Sequence, residues 1–537
     1  MKQYFIGIDV GTGSARAGVF DKEGTLVGTA KHDISVFHEA GSIVEQSSNE
    51  IWAAVCDASR CAIAEAGIDP AQVEGLGFDA TCSLVVLGEG GIALPVGPSD
   101  DPERNIIVWM DHRAVDQAER INATGHRVLD YVGGRISPEM ETPKLLWLKE
   151  NRPEVFDAAW QFFDLTDFLT WRATGSLARS ICTVTCKWTY MGHEARWDAS
   201  YFDEVGLGAL AAQRFRRIGT EVVDPGTALG NGLTEAAAGD LGLVPGIRVA
   251  AGLIDAHAGG IGTVGTAGLG GPQAVLGYVF GTSSCTMTTT SDPVFVPGVW
   301  GPYFSAMVPG AWLLEGGQSA AGAAIERLLD FHPAAAEAKA RAEGQGKSLP
   351  QYLADRAMES NPDASTATRR ADGLHVVPEF LGNRAPHADP YTRAVIAGLG
   401  MEADENNLVD LYLAGLCGLG YGLRQIIDAQ AERGAFIETI VISGGAGRSD
   451  LVRQVLADTT GVPVVAPRTE EPVLLGGAIL GAVAAGAYPD MAAAMDAMSS
   501  WAERYEPARG EIRAWHDGRF ALFERFQALA RDAAVRG

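Results

Sequence analysis

Tyr4-Phe5-Ile6-Gly7-Ile8-Asp9-Val10-Gly11-Thr12-Gly13-Ser14 opens the chain. Up to Asp9 this is an apolar strand that ends in a carboxylate. Gly11 to Ser14 is a tight turn, Ala15 to Phe20 a second strand, and Asp21-Lys22-Glu23-Gly24 a further hairpin turn. The pattern returns in weaker form much later. Ala274 to Phe280 reads as a strand, Gly281-Thr282-Ser283-Ser284 as a turn, and Cys285 to Thr290 as a strand. Two strand–Gly-Thr–strand hairpins predict an internal duplication, each half opening with a turn suited to gripping phosphate. Glycine density peaks between Gly260 and Gly271, which places the boundary there and divides the chain into residues 1–265 and 266–537.

Alternating helices and strands follow each hairpin. Glu50 to Ala66 carries helical periodicity and stops at Gly67. Val73 to Phe78 reads as a strand with Asp79 at its end, and Leu84 begins the next. Arg248 to Ile254 reads as one apolar strand ending at Asp255, with a small-residue helix after it. Thr439 to Ile442 is a strand, followed by Gly444-Gly445-Ala446-Gly447 and a helix over Asp450 to Thr460. The apolar run Val473 to Ala487 is too short and too rich in Gly and Ala for a bilayer span, so it reads as a buried helix. His332 to Asp372 reads as a solvated helix and polar loop, an insertion outside the core.

Composition narrows the function classes. The chain has 537 residues with 42 Lys plus Arg against 67 Asp plus Glu, a formal net charge of −25. Such an acidic surface is repelled by nucleic-acid backbones and anionic lipid, so neither partner is expected. Apolar residues at 47% supply a large core, and 66 glycines allow close backbone approaches. Seven cysteines without a CxxC pair, and an N-terminus whose apolar stretch is interrupted by Asp9, predict reduced thiols, no signal peptide and a cytoplasmic location.

These hairpins, the carboxylate at the first strand end and the late Gly444–Gly447 turn resemble the actin/hexokinase/Hsp70-like ATPase fold. That is an α/β architecture of two ribonuclease H-like duplicated domains with a cleft between them. Within it the chain resembles the FGGY carbohydrate kinases along nearly its whole length. The resemblance is carried by Gly7–Ser14, Gly77–Ser83, Trp109–Arg113, Pro143–Asn151, Cys186–Tyr190, Leu253–His257 and Glu315–Ser319, and it is strongest with the ribulokinase/ribitol kinase branch. Leu411 departs from the family by standing where a small residue is usual, a position concerned with helix packing.

The resemblance implies ATP and Mg²⁺, a small sugar as substrate, and phosphorylation of D-ribulose to D-ribulose 5-phosphate. Ribitol and L-ribulose are the alternatives, and a non-catalytic ATPase is the reading from another class. A homodimer is the default assembly.

Phosphoryl transfer needs donors for phosphates, a carboxylate for the metal and a base for the hydroxyl proton. Gly11, Thr12 and Ser14 offer successive backbone donors, with Gly281 and Thr282 as the facing pair; a plain hairpin turn is the alternative. Arg16 is implied to meet phosphate, or else is a solvated strand charge. Asp9, at the end of an apolar strand, either holds Mg²⁺ or caps its turn. Asp255, at a helix N-terminus that would keep it ionised, is either an N-cap or the general base, and the resemblance favours the base.

For the sugar the resemblance implies Lys187 and Glu315, with Cys82 as pocket wall. Asp111 and Arg113 are further candidates whose plain reading is a surface ion pair. Lys187 has a plain reading too, a snorkelling side chain. Gly444, Gly445 and Ala446 resemble an adenosine-binding turn, and Gly322 begins a segment implied to line the nucleotide. His257 reads as packing, because no His or Cys stands at ligand spacing from it.

Overall fold

The computed structural model describes residues 2–359 and 361–534, without the side chain of Ala446. Two sheets repeat one plan. In the first, β1 (Tyr4–Val10), β2 (Ser14–Asp21) and β3 (Leu26–Asp33) form an antiparallel meander. β4 (Val73–Ala80) runs parallel on the other side of β1, followed by β5 (Arg248–Val249) and β6 (Leu253–Ile254). In the second, β7 (Val275–Phe280), β8 (Ser284–Thr290), β9 (Trp300–Phe304) and β10 (Trp312–Gln318) make the antiparallel part. β11 (Thr439–Ser443) runs parallel to β7, followed by β12 (Val464–Pro467) and the antiparallel β13 (Trp501–Tyr505). Both Gly-Thr turns close as expected. The Gly11 amide donates to the Ser14 carbonyl and the Gly281 amide to the Ser283 carbonyl, at 3.0 and 2.9 Å.

Several helices carry site residues or pack against the elements that do. They are α1 (Ser48–Ala66), α2 (Ile181–Lys187), α3 (Asp255–Val264), α4 (Gly322–Asp330), α5 (Ala335–Gly344), α6 (Leu349–Met358), α7 (Glu405–Ala431) and α8 (Pro472–Ala484). Helix α1 ends as its sequence requires, with Gly67 in the left-handed conformation at φ 63°. Leu411 is buried in α7 with the second core, consistent with a packing position.

Two expectations are corrected. Arg248 to Ile254 is two short strands rather than one. Gly252 breaks it where the backbone passes so close to the Phe78 carbonyl that a Cβ would collide with it. Residues 332–372 are not an insertion outside the core: Ala338, Ala342, Leu353 and Ala357 are buried in one cluster with Leu328, Leu408 and Tyr412. Their small apolar faces, mostly alanine, resemble a polar surface in composition while packing closely. The division near residue 265 separates the two sheets, but α8 crosses it and packs on β1, β4 and α3 of the first half. Among the described residues no helix is long and apolar enough to cross a membrane.

The α8 crossing is backbone against backbone. A Cβ at Gly7 would overlap the Leu474 carbonyl oxygen, one at Gly77 the Gly477 carbonyl, and one at Gly75 the Gly481 carbonyl. Gly7→Ala is therefore expected to destabilise the protein by about 3 kcal/mol or more, because neither backbone can yield without moving a sheet or a helix. Gly13→Ala, with nothing within 4 Å of the added carbon, is expected to stay within about 0.5 kcal/mol of the parent in chemical denaturation.

Candidate active site

Three carboxylates meet at the carboxyl ends of β1, β4 and β6. Asp9 and Asp79 are paired across the β1–β4 register, and Asp255 begins α3 immediately after β6. Asp9 is buried and accepts from Arg16 Nε at 2.8 Å; Arg16 Nη1 reaches Glu471 Oε2, also at 2.8 Å. Arg16 is thus held between two carboxylates and is not a freely solvated strand charge. Asp79 is fully buried and neither of its oxygens accepts from a donor. Burial, and then the charges of Asp9 and Asp255, push its pKa well above the usual carboxylate range.

Asp255 is the first residue of α3 rather than its N-cap, and one of its oxygens accepts from the Ala256 amide at 2.7 Å. The helix terminus does not hold its pKa at the ordinary value. Burial and the nearby Asp9 push it up to about 6, and the Ala256 amide only partly offsets them.

A second group of charges lies near Asp255. Lys187 ends α2 and is buried, with Nζ 5.2 Å from the centre of the Trp300 ring. Burial works against its charge, but its neighbours, Glu315 among them, outweigh burial and keep the ammonium protonated. Glu315 on β10 is 7% exposed. Burial opposes its ionisation, yet Lys187 and His257 hold its pKa down to about 2. Lys187 is therefore not snorkelling to solvent. Cys82 is buried near it, its thiol pKa pushed up by burial and only partly restored by Lys187.

Asp111 and Arg113 form an ion pair that is buried rather than on the surface. Arg113 Nε donates to both Asp111 oxygens at 2.9 Å, Nη2 to Glu45 at 2.8 Å and Nη1 to the Val96 carbonyl at 3.0 Å. Asp111 also accepts from the Val44 amide at 2.6 Å. Both side chains are engaged by internal partners in the segment that carries Trp109. The Trp109 indole in turn donates to Thr12 Oγ1 at 2.9 Å, fixing the first Gly-Thr turn.

In the second half, Gly281, Thr282, Gly322 and Gly445 converge on a cavity of about 720 Å³ with Phe280 and Tyr412. A Cβ at Gly322 would stand 2.8 Å from the Gly281 carbonyl, so the wall there is bare backbone. Gly444 lies behind this wall in a left-handed conformation against Phe280, and Ala446 opens the short turn Ala446–Arg448, its side chain outside the described residues. Residues of 332–372, including Gln351 and Met358 of α6, close one side of the cavity.

Sequence reading missed several members of the site. Asp79 was visible as a strand-end carboxylate matching Asp9, but only the strand register shows the pair. Arg384 stacks 4.9 Å from the Trp300 ring and is held charged, against burial, by Cys285, Glu315 and Glu139; no local pattern marked it. His257 is not plain packing. Its Nε2 lies 3.4 Å from Glu315 and its Nδ1 lies 3.1 Å from the Cys182 sulfur, 75 residues away in sequence.

Family models for the N-terminal and C-terminal domains of the FGGY family of carbohydrate kinases match residues 4–262 and 276–485. A human protein described as FGGY carbohydrate kinase domain-containing is 46% identical, over 97% of this chain and 96% of its own. A D-ribulokinase of Saccharomyces cerevisiae is 38% identical, over 90% of this chain and 72% of its own. Among solved structures, a ligand-bound xylulose kinase from Lactobacillus acidophilus superposes with a TM-score of 0.81 at 19% identity, over 99% of both chains.

A fully buried carboxylate without a donor, beside two others, costs stability when charged. Asp79→Asn is expected to raise stability at pH 7 by roughly 0.5–2 kcal/mol while impairing activity. The raised pKa sets the sign. The penalty is complete above the folded pKa of Asp79, declines as pH falls below it and vanishes below the ordinary carboxylate range. The difference in melting temperature between variant and parent should therefore shrink on acidification.

Proposed function

The chain belongs to the FGGY family of carbohydrate kinases and is a sugar kinase, and from that premise we propose that it uses ATP to phosphorylate D-ribulose at its terminal C5 hydroxyl. The observation that carries this reading is the grouping of Asp255 with Lys187 and Glu315. A carboxylate whose pKa stands near 6 adjoins a buried donor from the first half and a buried acceptor from the second. A ketose offers a carbonyl oxygen to Lys187 and hydroxyls to Glu315, and a site made of such groups discriminates against analogues that leave them unpaired, by up to about 10⁴. The choice of the D series rests on the likeness to the yeast D-ribulokinase.

The cavity of the second half takes the nucleotide, its bare backbone at Gly281, Gly322 and Gly445 allowing close approach, and the two Gly-Thr turns take the phosphates. The residues present fit a hydrated Mg²⁺ beside the phosphates: Asp79 has two buried oxygens without a donor and Asp9 lies next to it. Magnesium supplies neutralisation of the charge that develops on the phosphates.

The protein's own groups do the rest. Lys187 and Glu315 orient the sugar so that its hydroxyl meets Asp255. As the hydroxyl oxygen bonds to the γ-phosphorus, the bond from that phosphorus to the β,γ-bridging oxygen breaks, and the hydroxyl proton passes to the Asp255 carboxylate. Arg16 holds the Asp9 carboxylate aligned.

Two outcomes test this. kcat/KM for D-ribulose should exceed that for L-ribulose, D-xylulose and ribitol by tenfold or more. A tenfold lead for ribitol or L-ribulose overturns the substrate and leaves the kinase, and no turnover of any overturns the pentose reading.

Independently, only ionised Asp255 accepts the proton, so kcat/KM should fall as pH drops through about 6 and level off above it. Asp255→Asn should keep the fold, lower kcat by about 10²–10⁴ and lose that acid limb. A variant within a few-fold of the parent removes Asp255 from the role.

A further inference from the structure

Behind the sugar-facing residues lies a group that phosphoryl transfer does not use. Cys182 and Cys186 stand one turn apart on α2, and His257 stands on the first turn of α3. One donor atom from each, two sulfurs and an imidazole nitrogen, lies within 4.8 Å of the others, and all three residues are fully buried. The Cys182 sulfur accepts from the Ile254 amide at 3.4 Å and meets His257 Nδ1 at 3.1 Å. The far nitrogen of the same ring, Nε2, faces the Glu315 carboxylate at 3.4 Å.

We propose that Cys182, Cys186 and His257 form a site for a thiophilic d¹⁰ cation, Zn²⁺ or Cu⁺, with Glu315 orienting the histidine from behind. Two observations point to it independently. The first is the donor set: two thiols and an imidazole nitrogen converge in a dry core, where packing alone would favour apolar neighbours. The second is the ring orientation. A carboxylate on the nitrogen remote from the other donors is the arrangement that fixes a metal-binding imidazole in its tautomer and raises its basicity.

Three protein donors satisfy Cu⁺ in a trigonal site, whereas Zn²⁺ would need a fourth ligand beside them.

Loading is a proton exchange. The incoming ion takes both sulfurs as thiolates and the imidazole through Nδ1, so the protons those atoms carry leave to solvent as it binds. The Nε2 proton stays on the side facing Glu315. The ion would join α2, which ends in Lys187, to α3, which begins with Asp255. It therefore lies behind the sugar-binding groups without touching substrate.

The test is metal content and ligand chemistry, which are independent of whether the substrate assignment is right. Reduced protein is produced in medium supplemented with zinc, copper or cobalt, desalted, and its metal measured by mass spectrometry. About one ion per chain is expected, with thiolate-to-cobalt charge-transfer absorption in the cobalt form. Competition with a Cu⁺-selective and a Zn²⁺-selective chelator distinguishes the two native ions.

Cys186→Ser should lose the bound metal and the absorption while keeping its circular dichroism, and Glu315→Gln should weaken binding about 10–100-fold. Parent protein that takes up neither zinc nor copper overturns the proposal. So does a cobalt form without thiolate absorption, a result that needs no variant to fold. Full metal retention by both Cys182→Ser and Cys186→Ser would place the ion elsewhere and overturn it equally.

Discussion

The molecule is organised by one close contact, the passage of α8 over the glycines of β1 and β4. Gly7, Gly75 and Gly77 present bare backbone, and α8 lays its own Gly477 and Gly481 against them. The same helix crosses α3, where Gly476 meets the Ala258 carbonyl and Gly262 meets that of Pro472. Side chains at these positions would push the helix outward. The seam therefore sets the distance between a helix of the second half and both the strand ends and the helix that carry Asp9, Asp79 and Asp255. Packing at interior density transmits small displacements, so geometry at the carboxylates depends on contacts remote from them.

Around that seam the charges divide into two groups. Asp9 raises the pKa of both Asp79 and Asp255, and Arg16 is the cation bound to Asp9 itself. In the other group Lys187, Arg384 and His257 gather around Glu315. Each group alone would be costly to bury. Together the acidic group suits a metal-bound polyphosphate and the mixed group suits a polyhydroxylated substrate. Asp255 feels both groups, its pKa raised by burial and Asp9 and lowered by His257 and Lys187.

Much of this was legible in the sequence where the signal is local. The Gly-Thr turns, the strand before Asp9, the helix ending at Gly67 and the helix over Asp450–Thr460 are each specified by a few consecutive residues. The strand ends that carry Asp9 and Asp255 were legible for the same reason. What was missed is non-local. Asp79 gains meaning only from its register with Asp9, His257 from Cys182 on another helix, and Arg384 from the Trp300 ring. The surface-pair alternative for Asp111 and Arg113 fails because their partners Glu45, Val44 and Val96 come from distant segments. Residues 332–372 looked peripheral because alanine carries little hydrophobic signal, though Ala338, Ala342 and Ala357 are as fully buried as the leucines beside them.

The position of Asp255 explains why a site so poor in stability is kept. A base fully exposed to water, with a pKa near the ordinary ~3.9, has little appetite for a hydroxyl proton, and a nucleotide beside it would meet water as readily as sugar. Burial corrects the first of these. On the proposed reading it raises the pKa to about 6 and so makes the carboxylate a better proton acceptor. The same burial leaves Asp79 without a donor and forces three carboxylates together. On the proposed reading the repulsion and the function are linked, because solvating the cleft would relieve the repulsion and also lower the pKa of the base. The rigid glycine seam holds the carboxylates in this arrangement, because a looser helix crossing would let them relax apart.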